Sequence, residues 1–160
     1  MTTYDTEMIM PVVAAITGTR STGHRELIWY ADMFSTFLAP FATKDAHFYI
    51  GGARGIDSLT LLWLAGSTEA RITVVVPRFV QDQPAEARHA IAECRNRIAE
   101  IVELRAADLA TPAYHARNRW MVDRGHLVIG FPREGCETSG TWQTLNYGAS
   151  QGKPRLIVPV

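Results

Sequence analysis

Cysteine is scarce in this chain: Cys94 and Cys136 are the only two among 160 residues, too few for a disulfide framework. Neither they nor the five histidines fall at a four-ligand metal spacing, so the sequence implies no metal and no resident cofactor. Long apolar runs are also missing. No stretch approaches the roughly 20 residues needed to cross a bilayer, and Met1 to Met10 reads as a loose leader carrying Asp5 and Glu7 rather than a signal peptide. Nor is there an excess of either charge. Sixteen basic residues balance sixteen acidic ones, which leaves no general field to draw in a polyanion and disfavours sequence-independent nucleic-acid binding. These absences point to a reducing cytoplasm as the compartment and to local rather than global recognition.

A hydrophobic fraction of 47% in 160 residues is enough to bury one core, and the chain is expected to form a single domain. Apolar runs alternate with stretches of helical periodicity, the pattern of repeated βαβ units. Val12 to Thr17, Phe48 to Gly51, Ile72 to Val76, Leu127 to Phe131 and Leu156 to Val160 lack polar alternation, as strands covered on both faces should. Val102 to Leu104 suggests a short sixth. The expected architecture is α/β: a three-layer Rossmann-like fold with a mostly parallel sheet of five to six strands flanked by helices. Ser21 or Thr22 is expected to open the first helix, and Ile56 to Ala65 forms the second. Asp82 and Pro84 precede a long third helix whose stripe is Ala87, Ile91, Cys94, Ile98 and Ile101. Thr111 and Pro112 start a fourth, and the last runs from Ser139 to Gly152.

Parallel sheets bind ligands outside the carboxyl ends of their strands, so the strand exits are the places to read. The first strand exits into Gly18-Thr19-Arg20-Ser21-Thr22-Gly23. Small residues there let backbone approach an anion, and Arg20 supplies two parallel donors; an ordinary strand-to-helix turn with an exposed arginine explains the segment equally well. The second exit, Gly51-Gly52-Ala53-Arg54-Gly55-Ile56-Asp57, is less ordinary, because three glycines in five residues suit a loop wrapped round a phosphate or ribose. Asp57 accepts either from ribose hydroxyls or from the helix that follows, as a cap. The fifth exit runs from Pro132 to Thr141 and offers Ser139, Gly140 and Thr141 at a helix start. Arg117-Asn118-Arg119, at the start of the fourth helix, is placed to reach the same crevice. The identical triplet Arg95-Asn96-Arg97, on the third helix, reads as a solvated face. Convergence of three small-residue loops is the core of the functional case.

Taken in order, Gly18-Thr19-Arg20, Gly51 to Asp57, Arg117-Asn118-Arg119 and Ser139-Gly140-Thr141 resemble the SLOG superfamily over roughly Val12 to Val160. That group includes the DNA-processing protein DprA (Smf), the LOG phosphoribohydrolases and small stand-alone relatives. The resemblance implies a Rossmann-like fold that binds nucleotides or nucleotide-derived ligands through those residues, with a tendency to dimerise. It breaks at one place: the LOG pattern Pro-Gly-Gly-x-Gly-Thr-x-x-Glu, aligned on Gly140-Thr141, puts Thr144 where the sugar-directed glutamate belongs. Glu134 or Glu137 would have to substitute for glycosidic chemistry. DprA proteins usually add further domains and a basic surface, neither of which is visible here. The leading expectation is therefore a nucleotide-binding sensor or carrier module. The alternatives are a nucleoside monophosphate phosphoribohydrolase-type N-glycosidase and a single-stranded DNA-binding DprA-like protein using Arg20, Arg54, Arg117, Arg119 and Arg133. Apolar surface on the third and tryptophan-bearing helices suggests a homodimer. Cys136, His115 and Trp142 are the remaining residues near the expected crevice.

Overall fold

A computed structural model describes residues 10–160, so the expected leader lies, apart from Met10, outside the described residues. Six strands form one sheet: β1 (Val13–Gly18), β2 (His47–Gly51), β3 (Arg71–Val76), β4 (Ile98–Glu103), β5 (Leu127–Phe131) and β6 (Arg155–Ile157). Their order is β4-β3-β2-β1-β5-β6, and every pairing is parallel. Five helices connect them: α1 (Leu27–Phe37), α2 (Ile56–Ser67), α3 (Ala85–Glu93), α4 (Thr111–Arg124) and α5 (Gly140–Ser150). The architecture is the expected α/β Rossmann-like one.

Handedness dictates the layers. Parallel crossovers are right-handed, so α1, α2 and α3, which link strands moving outward from β1 to β4, cover one face. After β4 the chain returns to the other side of β1, and α4 and α5 cover the opposite face. Strand alternation matches both. Ala14 and Ile16 pack with Phe48, Ile50, Tyr30, Phe34, Ile56 and Leu64 in the larger core, whereas Ala15 joins Val75, Val128, Met121, Val122 and Leu145 in the smaller one. Gly130 and Gly148 let α5 lie close, because a Cβ on Gly130 would stand 2.6 Å from Leu145 Cδ2 and one on Gly148 2.8 Å from Val128 Cγ2.

Two expectations are corrected. The first helix starts at Leu27, not at Ser21 or Thr22. Ser21 is engaged elsewhere: its N–H donates to Thr19 Oγ1 at 3.1 Å and its hydroxyl accepts from Arg133 Nη1 at 2.8 Å. Residues 20–26 instead form an irregular loop held by Tyr30 Oη donating to the Thr22 carbonyl at 2.9 Å.

The third helix ends at Glu93, and Ile98 and Ile101 belong to β4. A register shift opposite Ile72/Thr73 explains the misleading stripe, since Ile72 faces Ile98 while Thr73 faces Glu100. In a regular strand, residues three apart point to opposite faces. The bulge at Ala99 returns Ile101 to the side of Ile98, so both pack on the larger core at a spacing that mimics a helix. The triplet Arg95-Asn96-Arg97 forms a short 3-10 turn rather than a solvated helix face. Arg97 Nη2 donates to the carbonyls of Thr68 and Ala70 at 2.9 and 3.0 Å, tying the turn to the segment between α2 and β3. Arg97→Ala should therefore lower unfolding free energy in urea by about 1–3 kcal/mol, and Arg95→Ala, on an exposed residue, by less than about 0.5 kcal/mol. Equal effects would show that the two carbonyl contacts carry nothing.

Candidate functional site

Strand order reverses between β1 and β5, and such a switch point leaves a crevice where the two chain exits diverge. A cleft of about 830 Å³ opens there. Its floor and walls come from the β1 exit (Thr17 to Ser21), from Ala53 and Asp57 after β2, from one side of α4, and from Glu137 to Trp142 leading into α5.

Three loops are stitched together before any ligand enters. Thr19 N–H donates to the Phe131 carbonyl at 3.0 Å, and Ile56 N–H donates to the Thr19 carbonyl at 3.0 Å. Glycine makes this possible. Gly55 has φ of 77°, and a Cβ there would stand 2.5 Å from the Thr19 carbonyl oxygen; a Cβ on Gly18 would overlap Ile56. On Gly52 it would meet Val76 Cγ1 at 2.6 Å, and on Gly51 it would fall between the Arg117 guanidinium and the Asp57 carboxylate. The glycines of the second loop thus face protein atoms, and none of the three borders the cleft.

Asp57 and Arg117 form the deepest part of the cleft, 7% and 3% exposed. Arg117 Nη1 donates to the Val75 carbonyl at 3.2 Å and Nε to Asn118 Oδ1 at 2.7 Å. Among the described residues Nη2 makes no hydrogen bond, and it belongs to a residue that lines this cavity. Asp57 is the second residue of α2 rather than its cap, and its Oδ2 accepts from Ala53 N–H at 3.2 Å. Burial pushes the Asp57 carboxyl up to about 6 against the opposing pull of Arg117, the Ala53 N–H and Arg20. Burial also lowers the Arg117 pKa, partly offset by Asp57. Above them Arg20 is exposed, its guanidinium 4.9 Å from the Tyr114 ring centroid. Ser139 caps α5, its Oγ accepting from Trp142 N–H at 3.4 Å. The N–H groups of Gly140 and Thr141 have no protein partner among the described residues and open on the cleft. Two cations, free helix N–H groups and a carboxyl that gains a proton easily can hold a small anion.

Of the residues expected from sequence, Gly18, Thr19, Arg20, Asp57, Arg117, Asn118, Ser139, Gly140 and Thr141 line this cleft. Arg54 is exposed and outside its lining, and Arg119 lies over the Tyr147 ring at 5.4 Å, in the adjoining groove between α4 and α5. The Arg117 triplet sits in the middle of α4, which starts six residues earlier. Glu137 borders the cleft and Glu134 does not; Cys136 is exposed, and His115 and Trp142 are lining residues. Thr144 is buried, its hydroxyl donating to the Gly140 carbonyl at 2.9 Å. Sequence reading missed Tyr114 and Met121, although their spacing from Arg117, three before and four after, marks one helix face.

Because the folded Asp57 holds its proton more tightly than its ordinary value of 3.8 implies, its contribution to stability is complete below that value and fades as pH rises through about 6. A difference of this size is on the order of 3 kcal/mol. Asp57→Asn should remove that slope, so urea unfolding of the variant should change less with pH across this window than that of the parent. Parallel pH profiles would remove this proton from the account.

No protein-family model matches the chain, and no curated protein matches it in sequence. Solved structures do. DNA processing protein A from Helicobacter pylori, described for a unique single-stranded DNA binding mode, is 21% identical with a TM-score of 0.70, covering 94% of this chain and 66% of that one. DNA processing protein A (DprA) from Streptococcus pneumoniae is 16% identical with a TM-score of 0.67, covering 93% of this chain and 50% of that one. This chain therefore spans about two-thirds of the first and half of the second. Identities this low establish likeness of fold, and the fold is that of the Rossmann-like part of DprA proteins.

Proposed function

We propose that the chain binds a phosphate-bearing nucleotide in the switch-point cleft and acts as a sensor or carrier module of the SLOG type. One observation carries this reading: the largely buried guanidinium of Arg117 lines the same cleft as the free N–H groups at the start of α5 and keeps one nitrogen without a protein partner among the described residues. No buried side-chain nitrogen or oxygen lacks a partner among the described residues, so the spare nitrogen opens on the cleft, where the oxygens of a phosphate group can accept from it, from Arg20 and from the Gly140 and Thr141 N–H groups. Tyr114 and Trp142 offer ring surface to the base, and Asn118 offers an amide. Of the second-loop glycines, Gly51 keeps open the space between Asp57 and Arg117, while Gly52 and Gly55 let the loop pack on Val76 and Thr19; Arg54 contributes at most from solvent.

A second reading is favoured by the likeness to the Helicobacter pylori protein, whose description concerns single-stranded DNA. Balanced charge weighs against it, since a strand needs a track of cations beyond the cleft. Of the two glutamates that could replace the LOG carboxylate, only Glu137 borders the cleft, and a threonine hydroxyl is already bonded where the LOG pattern has its glutamate. The protein is read as cytoplasmic and homodimeric. Exposed Leu27, Ile28 and Phe37 on α1 and Leu62 on α2 supply the apolar surface for a second copy, while α3 spends Ala87, Ala90 and Ile91 on the core; among the described residues no helix is long and apolar enough to cross a membrane.

Titration calorimetry with adenosine and guanosine monophosphates, against the matching nucleosides, tests the reading. Arg20→Ala should weaken monophosphate binding by about 1.5–3 kcal/mol and leave the apo-protein's melting temperature nearly unchanged, because Arg20 is exposed. Nucleosides binding as well as monophosphates, or unaltered affinity in Arg20→Ala, would exclude phosphate recognition here. Incubation should release no ribose 5-phosphate; turnover abolished by Glu137→Gln would replace the binding reading with the hydrolytic one.

A further inference from the structure

A second cavity of about 310 Å³ runs between α4 and α5. It is continuous with the main cleft, because His115, Asn118, Gln143 and Asn146 line both. Beyond that shared rim its walls are Arg119, Thr144, Tyr147 and Ser150. The volume sits at the low end for small-molecule sites, with room for one base and part of a sugar.

The lining selects a neutral, planar, polar group. Only Arg119 carries full charge, and its guanidinium lies over the Tyr147 ring rather than toward an anion site. That ring is fixed in turn, since Tyr147 Oη donates to Asp123 Oδ1 at 2.6 Å. The result is a flat wall of ring and guanidinium, the surface on which a nucleobase stacks. Amides supply the edge contacts. Asn118 Oδ1 is held by Arg117 Nε, which sets its NH₂ group as a donor at the junction of the two cavities. Gln143 and Asn146, both exposed, have no side-chain partner among the described residues and offer paired donors and acceptors. From Gln143 to Ser150 the groove follows α5 for about 10 Å, and it starts from the helix end where the phosphate reading places the anion.

Resting on the reading of the main cleft as a nucleotide site, we infer that the α4/α5 groove is a second base subsite. Its ligand carries two nucleobases joined through a phosphate, one nucleotide in the cleft and the second base against Arg119 and Tyr147. Such a ligand is either a free dinucleotide or two successive residues of a single strand.

The test compares adenosine monophosphate, 5′-phosphorylated diadenylate and a long deoxyadenylate strand by calorimetry on the full chain. The diadenylate should bind at least about tenfold more tightly than the monophosphate. Ser150→Trp, which fills the groove from an exposed position, should erase that advantage and leave monophosphate affinity within about twofold, a difference well under 1 kcal/mol. Tyr147→Leu, which removes the stacking wall, should do the same and serves if the tryptophan variant does not fold. Equal affinities for the two ligands in the parent, or an advantage that survives both substitutions, would overturn the second subsite while leaving the nucleotide cleft standing. Loss of all binding in the parent would instead sink the cleft reading and the subsite with it. A long strand that binds still more tightly with a steep salt dependence identifies the strand as the source; one that matches the diadenylate identifies the free dinucleotide.

Discussion

Arg117 carries its charge to a place where only 3% of its surface meets solvent, and a guanidinium so withdrawn must find acceptors or a counter-charge nearby. It finds the carbonyl of Val75 near the end of β3, the amide of Asn118 one residue on, and the field of Asp57 at the start of α2. The ends of β2 and β3 are thereby referred to one side chain on α4. Gly51 is the condition for this, since any Cβ there would occupy the space between the two charged groups. The pair is also unequal: burial raises the Asp57 carboxyl to about 6 while the guanidinium keeps its charge, so the cleft floor gains net positive charge as pH falls through about 6. An anion arriving beside Arg117 raises the Asp57 carboxyl further, so that phosphate binding and proton uptake are coupled.

Around that pair the loops are held by one another rather than left for a ligand to order. The chain from Thr19 reaches both Phe131 and Ile56 through backbone hydrogen bonds, and Gly55 takes a positive φ to let those loops touch. Preorganisation of this kind reduces the entropy lost on binding. It also explains why glycine-rich exits occur at β1 and β2 without all their glycines bordering the cavity.

The strands were legible because a parallel sheet covered on both faces needs uninterrupted apolar runs, and these runs place β1, β2, β3 and β5 within a residue, while the last run overshoots the end of β6 by three. The bulge at β4 was not, because a three-residue spacing of isoleucines satisfies a helix face as well as a bulged strand. Within the site, Gly18 to Arg20 and Ser139 to Thr141 were legible as strand exits, whose position follows from topology. Arg54 was not separable from Arg20 by sequence, since both follow a glycine-rich turn and only packing decides which faces the crevice. The two arginine-asparagine-arginine triplets illustrate the same limit. One holds two carbonyls behind α2 and the other lines the cleft, and nothing within three residues distinguishes them. Tyr114 was recoverable by projecting α4 around Arg117, because the helix repeat fixes its neighbours.

A crystal structure of the protein with a nucleoside monophosphate bears most directly on the central claim. The phosphate should lie at the start of α5, within hydrogen-bond reach of the Gly140 and Thr141 N–H groups and of the free nitrogen of Arg117, with Arg20 closing over it. A phosphate found on exposed arginines such as Arg54, with the Arg117 nitrogen still unpartnered, would contradict it.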